Sequence, residues 1–169
     1  MPDFAIFDLQ LGQGRLGLSP LPGRGGRYQA DLTTILKWGA DLVLTMTTME
    51  ELARYEAAGL GEDLALAGVA WRHLPIRDFG KPTAATEALW PEASILAHRI
   101  LNEGGRVLTH CHGGRGRSGM AALRLMVEAG ELADHALERL REVRACAVET
   151  EDQRAWAAAP MFDRMSRGD

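Results

Sequence analysis

Three glycines between an apolar run and an amphipathic segment constrain this chain more than any other feature. The stretch reads Arg106-Val107-Leu108-Thr109-His110-Cys111-His112-Gly113-Gly114-Arg115-Gly116-Arg117-Ser118-Gly119. Val107 to Thr109 has strand character, the glycines at 113, 114 and 116 make a tight turn, and apolar periodicity from Arg117 starts a helix. Glycine tolerates left-handed and closely approached backbone, so successive N–H groups can converge on one concavity at the positive end of the helix dipole. Such a concavity binds an oxyanion. Cys111 at its base supplies a nucleophile and Arg117 at its rim a planar guanidinium fork, so the anion is both held and open to attack.

The 169 residues, 46% hydrophobic, suffice for a single domain, 1–169, with a sizeable core. A formal charge of -4, from 19 basic and 23 acidic residues, gives no global attraction to nucleic acid or an anionic membrane. Cys111 and Cys146 form no disulfide framework, which suits a reducing compartment. The first residues carry no basic leader, and no apolar run approaches the roughly 18 residues of a membrane span. The expectation is a cytoplasmic protein without membrane insertion.

Along the chain, Phe4 to Phe7 reads as a first strand and Gly12 to Gly26 as an extended, turning passage rich in glycine and proline. Asp31 suits the N-cap of a helix over Leu32 to Trp38, closed by Gly39, and Asp41 to Thr45 reads as a buried strand. Thr48 and Glu51 have capping-box spacing for a helix from Met49 to Ala58, and a short helix follows over Leu60 to Leu66. Val69 to Leu74 alternates as a strand and is followed by a loop, Ile76 to Pro82. Helices are expected over Ala84 to Asn102, Arg117 to Glu128, Leu132 to Cys146 and Glu151 to Met165, with a strand at Arg106 to Thr109. Early alternation of strands with helices predicts an α/β fold: a central, mostly parallel sheet flanked by helices, with the ligand at the carboxyl ends of the strands.

The pattern His110-Cys111-x5-Arg117-Ser118 resembles the phosphate loop of the cysteine-based protein tyrosine and dual-specificity phosphatases. The resemblance implies hydrolysis of phosphomonoesters through a phosphocysteine, without metal or other cofactor. The chemistry agrees, since a thiolate is the competent nucleophile and a helix N-terminus with nearby cations favours it. Arg117 would hold two phosphoryl oxygens, and the backbone and side chains of His112, Gly113, Gly114, Arg115 and Gly116 would line the phosphate site. By resemblance Ser118 supports the departing thiolate, and His110 orients the loop through hydrogen bonds. The ordinary alternatives are a helix-start serine and a satisfied strand-end histidine.

An alkoxide or phenoxide leaving group needs a proton donor at neutral pH. Asp78 lies in Pro75-Ile76-Arg77-Asp78-Phe79-Gly80-Lys81-Pro82, which resembles the acid-bearing loop of the dual-specificity group; alone, it reads as a turn aspartate. Thr150 to Gln153 resembles the segment whose glutamine places the hydrolytic water, and it equally has capping-box spacing. Together with Gly17 to Gly23, these segments are similar, in order, to the cyclin-dependent-kinase-associated phosphatases. No motif specifies the kinase partner of that group.

The resemblance implies a phosphorylated protein or peptide substrate, phosphotyrosine and, in a shallow pocket without a tyrosine-bearing wall, phosphoserine or phosphothreonine as well. His112 and Arg115 make the loop more basic and similar to the tensin-type lipid phosphatases, which keeps a phosphoinositide open; a non-catalytic phosphate-binding module is the alternative outside the enzymes. A nucleotide P-loop needs glycine where Cys111 stands and lysine where Arg117 stands. His110, Cys111 and His112 lack further ligands at zinc spacing. Arg24, Arg27 and Arg115 lack the aromatic interleaving of a nucleic-acid surface, and the arginines of Leu137 to Arg144, alternating with acids, read as a solvated helix face.

Overall fold

The structure is a computed structural model and describes residues 3–166. Strands β1 (Phe7–Leu11), β2 (Gly14–Ser19), β3 (Leu42–Thr45), β4 (Ala70–His73) and β5 (Arg106–His110) form one sheet in the order β1-β2-β5-β3-β4. The pairs β2–β5, β5–β3 and β3–β4 are parallel, and β1–β2 is an antiparallel hairpin. The sheet is therefore mixed, with the mostly parallel centre expected from the alternation of strands and helices.

The helices are α1 (Tyr28–Trp38), α2 (Met49–Arg54), α3 (Leu60–Leu66), α4 (Ala84–Asn102), α5 (Gly116–Glu128), α6 (Ala133–Val143) and α7 (Glu151–Ser166). Successive strand residues face opposite sides of a sheet. Leu42, Leu44 and Val107 join a core with residues of α4 to α7, while Val43 and Leu108 join a second core with Leu32, Ile35, Leu52, Leu60 and Leu64 of α1 to α3. Each fully buried leucine contributes on the order of 2 kcal/mol. The strands of the centre are apolar on both faces because both faces are covered.

Several boundaries differ from the sequence reading. The first strand begins at Phe7, and Phe4 and Ile6 pack on the second core outside the ladder. The glycine-rich passage contains β2, a strand that the glycines conceal: a Cβ at Gly17 would lie 2.9 Å from Ile6 Cγ2 and 3.0 Å from Trp38 Cζ2, so the residue is small because two layers close over it. Helix α1 starts at Tyr28, four residues early, and Asp31 is not its cap; its Oδ2 accepts the Gly23 N–H at 2.8 Å. Helix α2 has the expected capping box but stops at Arg54, before Glu56 at φ 58°. Helix α6 ends at Val143, short of Cys146, whereas α4 has the expected limits.

This topology puts the ends of β3 and β5 side by side in the middle of the sheet, with α5 leaving directly from the turn after β5. Trp156 of α7 meets Trp90 of α4 edge-on at 5.1 Å, and this contact fixes the helix that carries Gln153.

Candidate active site

The turn after β5 has its carbonyls on the outside. His112 O accepts the Leu21 N–H at 3.1 Å, Arg144 donates to Gly113 O at 2.9 Å and Gly114 O at 3.1 Å, and Arg115 O accepts the N–H groups of Gly119 and Val148, both at 3.0 Å. In a trans peptide the N–H of the next residue points opposite to each carbonyl, and the chain has no cis peptide. The N–H groups of Gly113, Gly114, Arg115 and Gly116 are thereby turned inward. They join the first-turn N–H groups of α5, which have no intrahelical acceptor. Gly114 adopts φ 70°, and a Cβ there would lie 2.6 Å from Ser19 C, so only glycine fits between the turn and β2. The result is an anion cradle.

Arg117 lies on its inner wall, 1% exposed. Its Nη1 donates to Glu51 Oε2 at 2.7 Å and to Ile76 O at 2.8 Å, and its Nη2 donates to Glu51 Oε1 at 2.9 Å and meets Asp78 Oδ1 at 3.3 Å. The buried Nε has no acceptor within the protein. Glu51 therefore takes the end of the fork, which leaves the Nε edge and Nη2 as the groups able to grasp an oxyanion. Burial pushes the Glu51 carboxyl up, but the bonds from Arg117 and from its own helix start hold it below the usual range. One carboxylate thus caps α2 and anchors the arginine.

Cys111 is buried, and its Sγ is 3.2 Å from Ser118 Oγ on the first turn of α5. His110, fully buried, has its Nε2 2.7 Å from Thr45 Oγ1, which accepts the Trp71 indole N–H at 2.7 Å. The Thr45 hydroxyl thus joins the imidazole to the indole and ties the end of β5 to β3 and β4. Burial lowers the His110 pKa to about 4, and the imidazole is neutral at pH 7.

Asp78 is half-exposed, and its Oδ1 accepts the N–H of Phe79, whose φ is 59°. Gln153, fully buried, does two things. Its Oε1 accepts the N–H groups of Glu149 and Thr150 at 2.9 and 3.3 Å, completing a capping box, while its Nε2 donates to Gly80 O at 3.2 Å and ties α7 to the loop of Asp78. The capping box read from sequence is present, and the same side chain also reaches the loop of Asp78.

Cys111, Arg117, Asp78, Ser118 and Gln153 are thus gathered around one cradle, with His110 behind it. The His112 ring is turned to the Tyr55 hydroxyl at 3.0 Å, and burial together with the charge of Arg24 pushes its pKa down. Arg115 is exposed at the lip. Two residues around the cradle depart from the sequence expectation: Glu51 is explained in sequence by its helix cap alone, and Arg144 falls in a stretch that reads as a solvated face. Instead Arg144 bonds the turn and stacks on Phe7 at 4.3 Å, and Arg141 donates to Ala147 O and Val148 O. Among the described residues no group of three or more His, Cys, Asp or Glu is placed to hold a metal ion. No helix there is long and apolar enough to cross a membrane.

The chain is similar to mouse cyclin-dependent kinase inhibitor 3, with 31% identity over 135 residues, 76% of this chain and 63% of the relative. It thus spans somewhat under two thirds of the relative's length. Its fold superposes on kinase associated phosphatase bearing serine for its catalytic-site cysteine, with a TM-score of 0.81, 25% identity and 98% of each chain covered. It also superposes on the active form of Tk-PTP, with a TM-score of 0.66 and 28% identity over 89% of this chain and 93% of that one. A family model described as "Polymorphic toxin system, DSP-PTPase phosphatase" matches residues 22–131, which run from the loop before α1 through the cradle to the end of α5. This chain belongs to that DSP-PTPase phosphatase family.

Proposed function

We propose that the protein is a metal-independent phosphomonoester hydrolase acting on phosphotyrosine and on phosphoserine or phosphothreonine in proteins or peptides. The observation that carries this reading is the ring of inward N–H groups above a buried cysteine, with the unpaired Arg117 Nε on its wall. A phosphoryl group seated there has its charge met by fixed dipoles and one guanidinium, which need no reorganisation as the phosphorus becomes trigonal. Cys111 Sγ attacks phosphorus as the P–O ester bond breaks, and the Asp78 carboxyl gives its proton to the leaving oxygen. Asp78 Oδ1 now rests on Arg117 Nη2; an arriving phosphoryl oxygen competes for that donor and frees the carboxyl to face the leaving group. Water then attacks phosphorus, its proton passes to the Asp78 carboxylate, and the S–P bond breaks with Ser118 Oγ donating to the departing sulfur. His110 fixes the start of the turn. Gln153 holds the Asp78 loop and orients the water.

A reducing compartment, the cytoplasm, suits a mechanism that needs Cys111 free, and both cysteines are free. A kinase partner is not part of the proposal, because the relatives named for kinases extend beyond the span matched here.

The test is hydrolysis of a small aryl phosphate in the presence of a chelator. The wild type should turn over and Cys111→Ser should lose at least about a thousandfold in kcat. Retained turnover in Cys111→Ser, or a requirement for added metal, overturns the mechanism. Binding of phosphopeptide without turnover by the wild type would identify a binding module instead.

A further inference from the structure

One acid stands at the rim of the cradle without a partner. A Cβ on Gly116, the residue that closes the turn and opens α5, would collide with Glu149 Oε1, so this carboxylate lies flat against the backbone of the cradle. Glu149 is exposed, and among the described residues its carboxylate accepts no hydrogen bond and enters no ion pair. Its backbone, by contrast, is fixed. The Glu149 N–H donates to Gln153 Oε1 at 2.9 Å, the Val148 N–H donates to Arg115 O at 3.0 Å, and Val148 O accepts from Arg141 Nη2 at 3.0 Å. Val148 has φ 65°, a left-handed conformation that a β-branched residue adopts only where its surroundings impose it. The segment presses so closely on α5 that a Cβ at Gly119 would lie 2.7 Å from Val148 N. Glu151 and Asp152, exposed in the first turn of α7, suit the dipole of that helix and need no other reason. Glu149 precedes the helix and lies at the start of α5, where it opposes the anion for which the cradle is shaped. Apart from Asp78, the exposed charges of the turn and of the Asp78 loop are basic: Arg115, Arg77 and Lys81.

We infer that Glu149 is a specificity-determining residue that pairs with a basic side chain of the substrate, an arginine or lysine within two positions of the phosphorylated residue. The inference rests on the phosphatase reading and names its substrate class, a phosphopeptide that is basic beside its phosphate. An acid at the rim repels the phosphate unless the substrate brings a cation with it, so the site discriminates against peptides that lack one. The same acid opposes a substrate with further phosphates, which sets a basic peptide ahead of a phosphoinositide headgroup. An extended peptide advances about 3.4 Å per residue, which keeps a long side chain two positions away within reach of Glu149. Arginine fits better than lysine, because its planar fork meets both carboxylate oxygens. The bonded, strained backbone holds the acid in place before substrate arrives, which lowers the cost of ordering it on binding.

The experiment measures kcat/KM for a phosphotyrosine peptide with glutamine at the two positions on each side, for versions carrying a single arginine or a single glutamate at each of those positions, and for a small aryl phosphate. In wild type at least one arginine version should exceed the parent peptide about fivefold, the upper end for an exposed ion pair. The preference should shrink as salt is added. Glu149→Gln should abolish it while changing the aryl phosphate less than about twofold, and Glu149→Arg should transfer it to the glutamate version at the same position. Absence of a preference in wild type, or its survival in Glu149→Gln, overturns the inference. So does an equal fall on peptide and aryl phosphate, which would place Glu149 among the groups that serve the phosphate itself. If wild type hydrolyses none of these substrates, the phosphatase reading has failed, and calorimetric binding of the same peptides to the intact protein decides. A preference for arginine that Glu149→Gln removes then supports the pairing, and equal affinities or no binding overturn it. Thermal melting of the variants separates these outcomes from misfolding.

Discussion

The two loops that meet at the site are built to opposite standards. In the turn after β5, the carbonyls of residues 112 to 115 all have donors, Gly114 is wedged against β2, and Arg117 beneath it is bonded by Glu51 through both terminal nitrogens. The loop of Asp78 is half-exposed, with Phe79 61% exposed at its tip, and it is held by scattered bonds: Thr86 Oγ1 to Pro75 O, Arg117 Nη1 to Ile76 O and Gln153 Nε2 to Gly80 O. Segments with few buried contacts open at low free-energy cost. An anion site gains from rigidity, since dipoles that need not turn stabilise charge most effectively. The proton donor proposed at Asp78, which must let substrate in and product out, gains from freedom. The molecule separates these demands by placing one on the sheet and the other at its edge.

That contrast can be broken, beginning with the stiff side. Glu51→Gln leaves Arg117 buried beside a neutral partner, and the unfolding free energy in urea should fall by about 3 kcal/mol, with loss of turnover. A change below about 1 kcal/mol would mean that the cradle does not depend on this anchor. On the exposed side, Asp78→Asn should lower kcat for an aryl phosphate about a hundredfold while leaving the urea midpoint in place. A matching loss of stability would show that the loop is as structural as the turn it faces. Gln153→Ala sits between the two, removing a helix cap together with the strap on Gly80. The expected cost is about 1 kcal/mol of stability, a few-fold loss in kcat, and faster proteolytic cleavage within residues 75–82.

The part of this arrangement that could be read from sequence is the part encoded locally. The glycine turn, Cys111, Arg117 and the capping box at Thr48 each declare themselves within a few residues. So does α4, bracketed by its Thr83 cap and by Gly104-Gly105. What escaped depends on contacts between distant segments. β2 was hidden because Gly17 is selected by Trp38 and Ile6 pressing on it, not by strand propensity. Asp31 had the residue type of a cap, yet its carboxylate serves a loop eight residues back. Glu51 already had a sufficient local explanation, and nothing near it in the chain points to Arg117, 66 residues on. Arg144 has the composition of a solvated residue and acquires its role only once α6 is packed beside the turn.

The clamp on His110 has a consequence for the order in which the protein matures. Its partner Thr45 is 65 residues earlier in the chain, and the indole that completes the set belongs to Trp71 on β4, at the edge of the sheet. Closing such long loops is slow and cannot be compensated until the strands on both sides have docked. A partly synthesised or misaligned chain therefore carries Cys111 on an unshaped peptide, with no ring of donors above it and no anchored arginine beside it. The cradle comes into being together with correct strand alignment, so under the proposed function a molecule able to bind phosphate is one that has already passed a check on its own assembly.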